Sequence, residues 1–330
     1  MLEGDLGMRA AVIDRYGPPD VIDIREVPKP VPGDGDILVR ITVTTVNSGD
    51  ARIRGLRVPR GMTLMMRLAL GWSGPKQKIG GFEAAGVVEA VGANVTKFKP
   101  GDRVVGSHGF KFGLHAEYAL FTEADALVPI PDGLSDEDAL AVLFGGSTAR
   151  WFFEAGGLAA GKRVLINGAS GAVGVQAVQM AKLAGAHVAA VCSSGHEDLV
   201  RSLGADHVYA YDREDFARSG HTYDIIMDTH GNAPYGRVKH MLAPGGQLLM
   251  VVGDLFQMIA STWQGPVHGS GPKGTEAVTA EAYAELVAMA AEGKLKPVIQ
   301  AVLPFDDIVE AHRIVDGGHK RGSVMVRVSA

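Results

Sequence analysis

Residues 163–185, RVLINGASGAVGVQAVQMAKLAG, constrain this 330-residue chain more than any other stretch. A buried-strand pattern, RVLIN, runs directly into a small-residue turn in which Ala169, Gly171 and Gly174 keep a G/A-x-G-x-x-G spacing, and a helical run from Ala172 to Ala184 follows. Each small residue answers a physical demand. The backbone at Gly171 has to approach a pyrophosphate closely, Gly174 has to let the helix lie against the strand, and the free amides at the helix start have to face an anion. The plainer alternative is a glycine turn that only connects strand to helix. The context on both sides favours a dinucleotide site.

The segments after it alternate. HVAAVC, a helix over Glu197 to Leu203, HVYAY, YDIIMDT, a helix near Tyr235 to Leu242, and QLLMVVG read as a parallel sheet with crossover helices. A carboxylate holding the adenosine ribose of NAD is expected at the end of the second strand, about 20 residues beyond the glycines. The chain instead reads Cys192, Ser193, Ser194, Gly195, His196, with Arg201 about a turn further and Tyr211 ending the next strand. Hydroxyls and a potential cation suit a 2'-phosphate, whereas an acid repels it. A serine turn with His196 facing water is the alternative.

Upstream, from Met8 to about Leu127, short strands separated by Gly and Pro dominate: RAAVID, VIDIREV, DILVRITVTTV, AAGVVEAV, DRVVG and AEYALF. After Pro129 and Pro131 the run SDEDALAVLFGGSTARWFFEA has an N-cap candidate, Ser135, and helical spacing. Residues 254–275 read as a loop and Glu276 to Glu292 as a helix. PVIQAVLP, a helix over Asp306 to Ile314, and SVMVRVS look like the closing pieces of the first domain. The expected division is therefore 1–130 with 270–330 as one discontinuous unit and 131–269 as the nucleotide unit. Residues 1–7 precede the first strand pattern, resemble a tag or alternative start, and are left out of the fold.

With 32 basic against 37 acidic residues and no basic tract, the chain offers nothing to a nucleic-acid backbone. No apolar run approaches the roughly 20 residues of a membrane helix, and no signal pattern opens the chain. A cytoplasmic location without stable membrane insertion is expected. The single cysteine, Cys192, excludes an internal disulfide and the clustered thiolates of a structural zinc site.

Together and in order, VNSGDARIRG, GFEAAGVVEAVGANVTKFKPGDRVVG, HAEYAL, LFGGSTA, NGASGAVG, SLGADHVYAYDREDF, YDIIMDTHG, LAPGGQLLMVVG, EGKLKPVI and GHKRGSV resemble the zinc-free medium-chain dehydrogenase/reductase family, in its zeta-crystallin-like quinone oxidoreductase branch. The resemblance runs from Met8 to the end. It implies an α/β architecture, a GroES-like β-rich catalytic domain plus a Rossmann doubly wound parallel sheet domain, with the active site between them, and a homodimer. Zinc-dependent relatives carry a Cys near Asn47 and Gly-His-Glu where this chain has Gly81, Phe82 and Glu83. His108 and His115 remain as two loop histidines, and no metal is expected.

The resemblance also places residues. Asn47 and Thr148 fall at the nicotinamide, with Val251, Val252 and Gly253 in the loop beside the ring. Ala172 and Val173 fall at the pyrophosphate, beside Ser170, Gly171 and Gly174 of the glycine turn read above. Ser193, His196 and Tyr211 fall at the 2'-phosphate, which agrees with the hydroxyls of Ser193 and Ser194 read above, so NADPH is the expected cofactor. Lys320 lies where relatives bring the tail to the cofactor, although Gly322 and Ser323 replace a common Gly-Lys there.

The expected chemistry is hydride transfer from NADPH to a small-molecule electron acceptor, a quinone or an α,β-unsaturated carbonyl compound, aligned in a dry cleft. Asn47 is the catalytic candidate, donating to the developing oxyanion, and a turn-stabilising Asn is the alternative. Arg52 stands where some quinone reductases have a tyrosine, so no tyrosine role carries over. Asp50 is read as structural. Residues 61–74, GMTLMMRLALGWSG, resemble the family's lid; Met62, Met65, Met66 and Trp72 are read here as core first, lid second and membrane-surface helix third. Two other functions stay open: a zinc-independent alcohol dehydrogenase and a non-catalytic NADPH-binding redox sensor.

Overall fold

The computed structural model describes residues 7–58, 62–252, 267–269 and 278–329. β1 (Gly7–Ile13) and β2 (Ile22–Pro28) pair as an antiparallel ribbon. β3 (Asp36–Val46), β4 (Ala84–Val91), β5 (Arg103–Ser107), β6 (Tyr118–Thr122) and β7 (Ala126–Pro129) build most of a seven-stranded sheet. Two short helices, α1 (Ser48–Arg54) and α2 (Thr63–Leu70), lie between β3 and β4. The brevity of α1 hid it among strand signals, whereas the helical spacing of α2 showed in the sequence.

α3 (Asp136–Ala141) and α4 (Leu143–Gly156) replace the single helix expected over this stretch. The break at Val142 has a packing cause. α3 lies on β3, β4 and β5, whereas α4 lies on α5 (Ala172–Leu183), so one straight helix cannot reach both. Ser135 caps α3 as expected, its hydroxyl accepting the Asp138 amide at 3.0 Å.

β8 (Arg163–Asn167), β9 (His187–Cys192), β10 (His207–Ala210), β11 (Tyr223–Asp228), β12 (Leu242–Met250) and β13 (Val267–Gly269) form a wholly parallel sheet in the order β10-β9-β8-β11-β12-β13. α5 crosses from β8 to β9 and α6 (Glu197–Ser202) from β9 to β10, while α7 (Tyr235–Val238) precedes β12. Strands covered on both faces read as continuous apolar runs, and Val164, Leu165 and Ile166 are all fully buried. The strand order reverses between β8 and β11, the place where such sheets bind ligands.

The tail returns to the first sheet. After α8 (Ala280–Ala291), β14 (Ile299–Pro304) pairs with β15 (Ser323–Arg327), which pairs with β3; α9 (Ile308–Asp316) bridges them. Leu140, Leu143, Tyr283, Leu286 and Met325 form one apolar core with Val43 and Val105, so helices of the middle segment are packed on the first sheet. Burial of such side chains contributes roughly 1.5–3 kcal/mol each and fixes the walls of the groove between the sheets. Among the described residues no helix is long and apolar enough to cross a membrane.

Candidate active site

Two strand-to-helix turns meet at a cleft of about 420 Å³. The first follows β8. Gly168 sits at φ +81°, a left-handed conformation open to glycine, and the Gly168 and Ala169 amides donate to Val191 O of β9 at 3.1 and 3.0 Å. Gly171 is the N-cap of α5, and no side chain caps that helix. A Cβ on Gly174 would lie 2.2 Å from Gly168 O and 2.6 Å from Ala169 Cα, whereas one on Gly171 would meet only Gly168 O at 3.5 Å. Gly174 is therefore required by packing, whereas nothing in the protein itself forbids a side chain at Gly171. A surface with uncapped helix amides, open space at one glycine and Ser170, Gly171, Ala172 and Val173 in the cleft wall fits the diphosphate of a dinucleotide.

A buried polar girdle backs this turn. Asn167 Nδ2 donates to Asp228 Oδ1 at 2.8 Å and to Asn232 Oδ1 at 2.6 Å, and Asp228 accepts the amides of His230, Gly231 and Ala233 at 3.1, 2.9 and 2.8 Å. Sequence reasoning passed over this pair. Its signal was a polar residue ending each of two otherwise apolar strands, RVLIN and YDIIMD. The tail also reaches the turn: Gly322 N donates to Ser170 O at 2.7 Å, which brings His319 and Lys320 into the cleft wall. The replacement of Gly-Lys by Gly322 and Ser323 does not prevent that approach.

At the far end of the cleft Ser193, His196 and Tyr211 come together. Ser193 Oγ lies 3.2 Å from His196 Nδ1, and Tyr211 bonds His319 Nδ1 at 3.3 Å. Burial lowers the His196 pKa, with Arg321 and His319 adding to the effect. Ser194 takes another partner: its amide and hydroxyl both donate to Asp212, at 2.9 and 2.6 Å. Asp212, which follows β10, thus holds Ser194 and is not in the cleft wall, and neither is Ser194. Arg52 lines the wall, where the surrounding protein strips part of its guanidinium's water and, with Arg57 adding, lowers its pKa.

The second turn follows β3. Asn47 caps α1, its Oδ1 accepting the Gly49 and Asp50 amides at 2.7 and 3.1 Å, while Asp50 Oδ2 accepts Asn47 N at 2.9 Å. That box fixes the amide orientation and leaves Asn47 Nδ2 buried without a protein partner among the described residues. Asp50 Oδ1 accepts the Gly81 amide at 3.1 Å, the structural role expected of it. Behind this turn, Glu83 is 2% exposed and accepts the Tyr283 hydroxyl at 2.6 Å; burial raises its carboxyl to about 8. Burial pushes the half-buried Lys320 ammonium down to about 8, with Asp50 opposing the shift.

The remaining expected contacts are less central. Thr148 donates its hydroxyl to Phe144 O at 2.7 Å, and Val251 N donates to Asp228 O at 3.0 Å. Asn47, Thr148, Val251 and Val252 are not in the cleft wall, and Gly253 lies outside the described residues. The core reading of the 61–74 segment is corrected: no residue of α2 is buried, and Leu64, Met65, Leu68 and Trp72 are 62%, 53%, 65% and 62% exposed. The eight-residue helix covers even its cavity-facing end only in part, with Leu70 half-buried and Ala69 exposed. Met62 precedes it as the N-cap residue, and Met66 is half-buried. His108 packs edge-to-face on Phe121 and is pushed down to about 4 by burial, and His115 Nε2 bonds Thr45 O at 2.9 Å. Among the described residues no three His, Cys, Asp or Glu side chains form a group that could hold a metal ion.

The fold and this cleft define a two-sheet dehydrogenase that binds a nicotinamide dinucleotide. Residues 33–132 match the alcohol dehydrogenase GroES-like domain and residues 203–326 the zinc-binding dehydrogenase domain. The chain is 32% identical to the chloroplastic quinone-oxidoreductase QR1 of Triphysaria versicolor, over 97% of this chain and 98% of that one. It is 28% identical to the 2-methylene-furan-3-one reductase of Solanum lycopersicum, over 97% of this chain and 79% of that one. The quinone oxidoreductase structure from Coxiella burnetii superposes with a TM-score of 0.87 at 23% identity, covering 98% of this chain and all (100%) of the other. The chain belongs to the medium-chain dehydrogenase/reductase family, in its quinone oxidoreductase branch, and is an oxidoreductase.

Proposed function

We propose that this chain reduces quinones or α,β-unsaturated carbonyl compounds with NADPH and without zinc, in a cleft between a unit of residues 1–130 with 270–330 and a unit of residues 131–269. The observation that carries the cofactor choice is the far end of the cleft, where Ser193, His196, Tyr211, His319 and Lys320 present hydroxyls and cationic or proton-donating groups. Asp212 is held by Ser194 through two bonds. The donor set supports zinc independence: Asn47 is committed to a helix cap, Phe82 offers no ligand atom, and His115 is bonded to backbone.

NADPH supplies the hydride when bound. The glycine turn orients its diphosphate, and the wall at Ser193, His196 and Tyr211 selects its 2'-phosphate. Hydride transfer would leave negative charge on the carbonyl or quinone oxygen, and Asn47 Nδ2, the unpartnered donor buried next to the wall residue Ser48, is the group we assign to meet it once an acceptor reaches that turn. The cap holds that donor in place beforehand. The names of the two relatives, a quinone reductase and a furanone reductase, point to the same acceptor classes.

Oxidation of NADPH and NADH, followed by loss of reduced-nicotinamide absorbance against a panel of quinones, enones, alkenals and aldehydes, tests the reading. Acceleration by quinones or enones with NADPH preferred is the expected result. Cofactor binding with no acceptor-stimulated oxidation would establish the sensor reading instead, and alcohol-dependent reduction of NADP the alcohol dehydrogenase. Ser193→Asp is expected to lower the NADPH-to-NADH preference about tenfold by repelling the 2'-phosphate. An unchanged ratio removes Ser193 from that site.

A further inference from the structure

α1 has two faces. Ser48, Ala51 and Arg52 look into the cleft, while Ile53 and Arg54 help wall a separate cavity of about 140 Å³ beneath α2. Leu70 of α2 closes one side, and Phe110 and Phe112 stand at another with ring centroids 6.1 Å apart. Apolar cavities of about 150 Å³ take up a benzene ring. This one has the size for a single ring and a mostly apolar lining.

One group in the wall wants an acceptor. Arg54 is fully charged, so its Nε–H donates to His312 Nδ1 at 3.4 Å, and Nδ1 must be the acceptor nitrogen of a neutral imidazole. Burial holds the His312 pKa well below its ordinary value, so the ring stays neutral. The proton of that ring is consequently on Nε2. His312 is fully buried, lines the cavity, and its Nε2 has no protein partner among the described residues. His115 stands edge-to-face to it at 5.7 Å, with its own Nε2 already on Thr45 O. Arg54 is committed elsewhere, to Gly17 O and Asp316 at 2.6 Å each. A buried N–H left without an acceptor has lost its water and gained nothing in return, a cost that an occupant carrying an acceptor atom would recover.

We propose that the cavity between α1 and α2 is a second binding site, distinct from the cofactor cleft, for a small neutral ring compound bearing one hydrogen-bond acceptor, which accepts from His312 Nε2–H. The site lies behind α1, so its occupant touches the helix whose other face lines the cleft.

Pyridine and benzene are matched probes, equal in shape and differing in one acceptor nitrogen. Their affinities are measured at pH 8 by ligand-observed NMR on the full chain saturated with NADP. Both are expected to bind. Leu70→Trp, which fills the cavity from the α2 side, is expected to abolish both while leaving NADP affinity unchanged, Leu70 being outside the cofactor-cleft wall. His312→Phe keeps a ring in the wall and removes the donor, and is expected to lower the pyridine-to-benzene affinity ratio roughly threefold to tenfold. Should that variant fail to fold, a pyridine-induced shift of the His312 Nε2–H resonance in the unaltered protein reads the same bond. The proposal is overturned if neither ring binds, if binding survives Leu70→Trp, or if pyridine leaves the His312 signal and the affinity ratio untouched.

Discussion

The turn from β8 into α5 and the turn from β3 into α1 carry out the same local task and end at the same cleft, yet they treat their helix amides in opposite ways. At β8 the N-cap is Gly171, no side chain covers the first amides, and the turn is an open anion receptor made of backbone. At β3 the N-cap is Asn47, the first amides are closed by its Oδ1 and the box is completed by Asp50, so only one side-chain donor is left over. A diphosphate arrives with several anionic oxygens and suits the first arrangement. A single oxygen developing charge during hydride transfer suits the second. The difference teaches that glycine and asparagine at a strand end are alternative answers to where the free donors should be.

The largest expected effects break the first turn in two distinguishable ways. Gly174→Ala forces a methyl to within 2.2 Å of the Gly168 carbonyl and against Ala169 backbone, so it should destabilise the chain by about 3 kcal/mol or more, seen in thermal unfolding, and abolish cofactor binding with it. Gly171→Ala meets no comparable obstacle. It should leave the unfolding midpoint nearly unchanged and, if the diphosphate lies on this turn as proposed, weaken NADPH by about tenfold because the methyl would stand in its approach. Equal stability losses in both variants would show that the two glycines do not divide packing from binding.

The second turn is tested by Asn47→Ser. A serine keeps an oxygen that can cap α1 and withdraws the carboxamide donor, so stability should change by less than about 1 kcal/mol. Turnover with the best quinone or enone should fall roughly 10–100-fold with little change in NADPH affinity. A fall in stability with turnover intact would reduce Asn47 to its capping role and erase the functional half of the comparison.

How much of this was legible beforehand follows from how local each signal is. The parallel sheet, the glycine turn and the return of the tail were readable, since each rests on short patterns such as RVLIN followed by GASGAVG or the closing SVMVRVS. The split of α3 from α4 at Val142 was not, because it depends on two packing partners distant in sequence. The bonds of Ser194 to Asp212 and of Asn167 to Asp228 join residues that share no strand, so no spacing rule announces them. α2 misled for a different reason: methionine and leucine at helical spacing describe a helix correctly, but composition alone does not say whether a sheet is within reach to cover it.

Lys320 stands between the two turns, and its titration offers the finest test of their separation. Its strand of chain is pinned to the first turn through Gly322 and Ser170, while its charge is felt by Asp50 of the second. Burial sets its pKa at about 8 in the free protein. A cation attracts the phosphates and a neutral amine does not, so NADPH affinity should be full below pH 8 and weaken by about fivefold as pH rises beyond it, one charge-assisted contact being lost. Binding above pH 8 should correspondingly take up a proton, measurable as a buffer-dependent heat in calorimetry. Lys320→Arg should hold the affinity flat to higher pH, because a guanidinium stays charged, and Lys320→Met should be weak and flat throughout. If Lys320→Met retains the pH dependence of the unaltered protein, the titrating group lies elsewhere and the ammonium serves the acceptor side, with Asp50, rather than the cofactor.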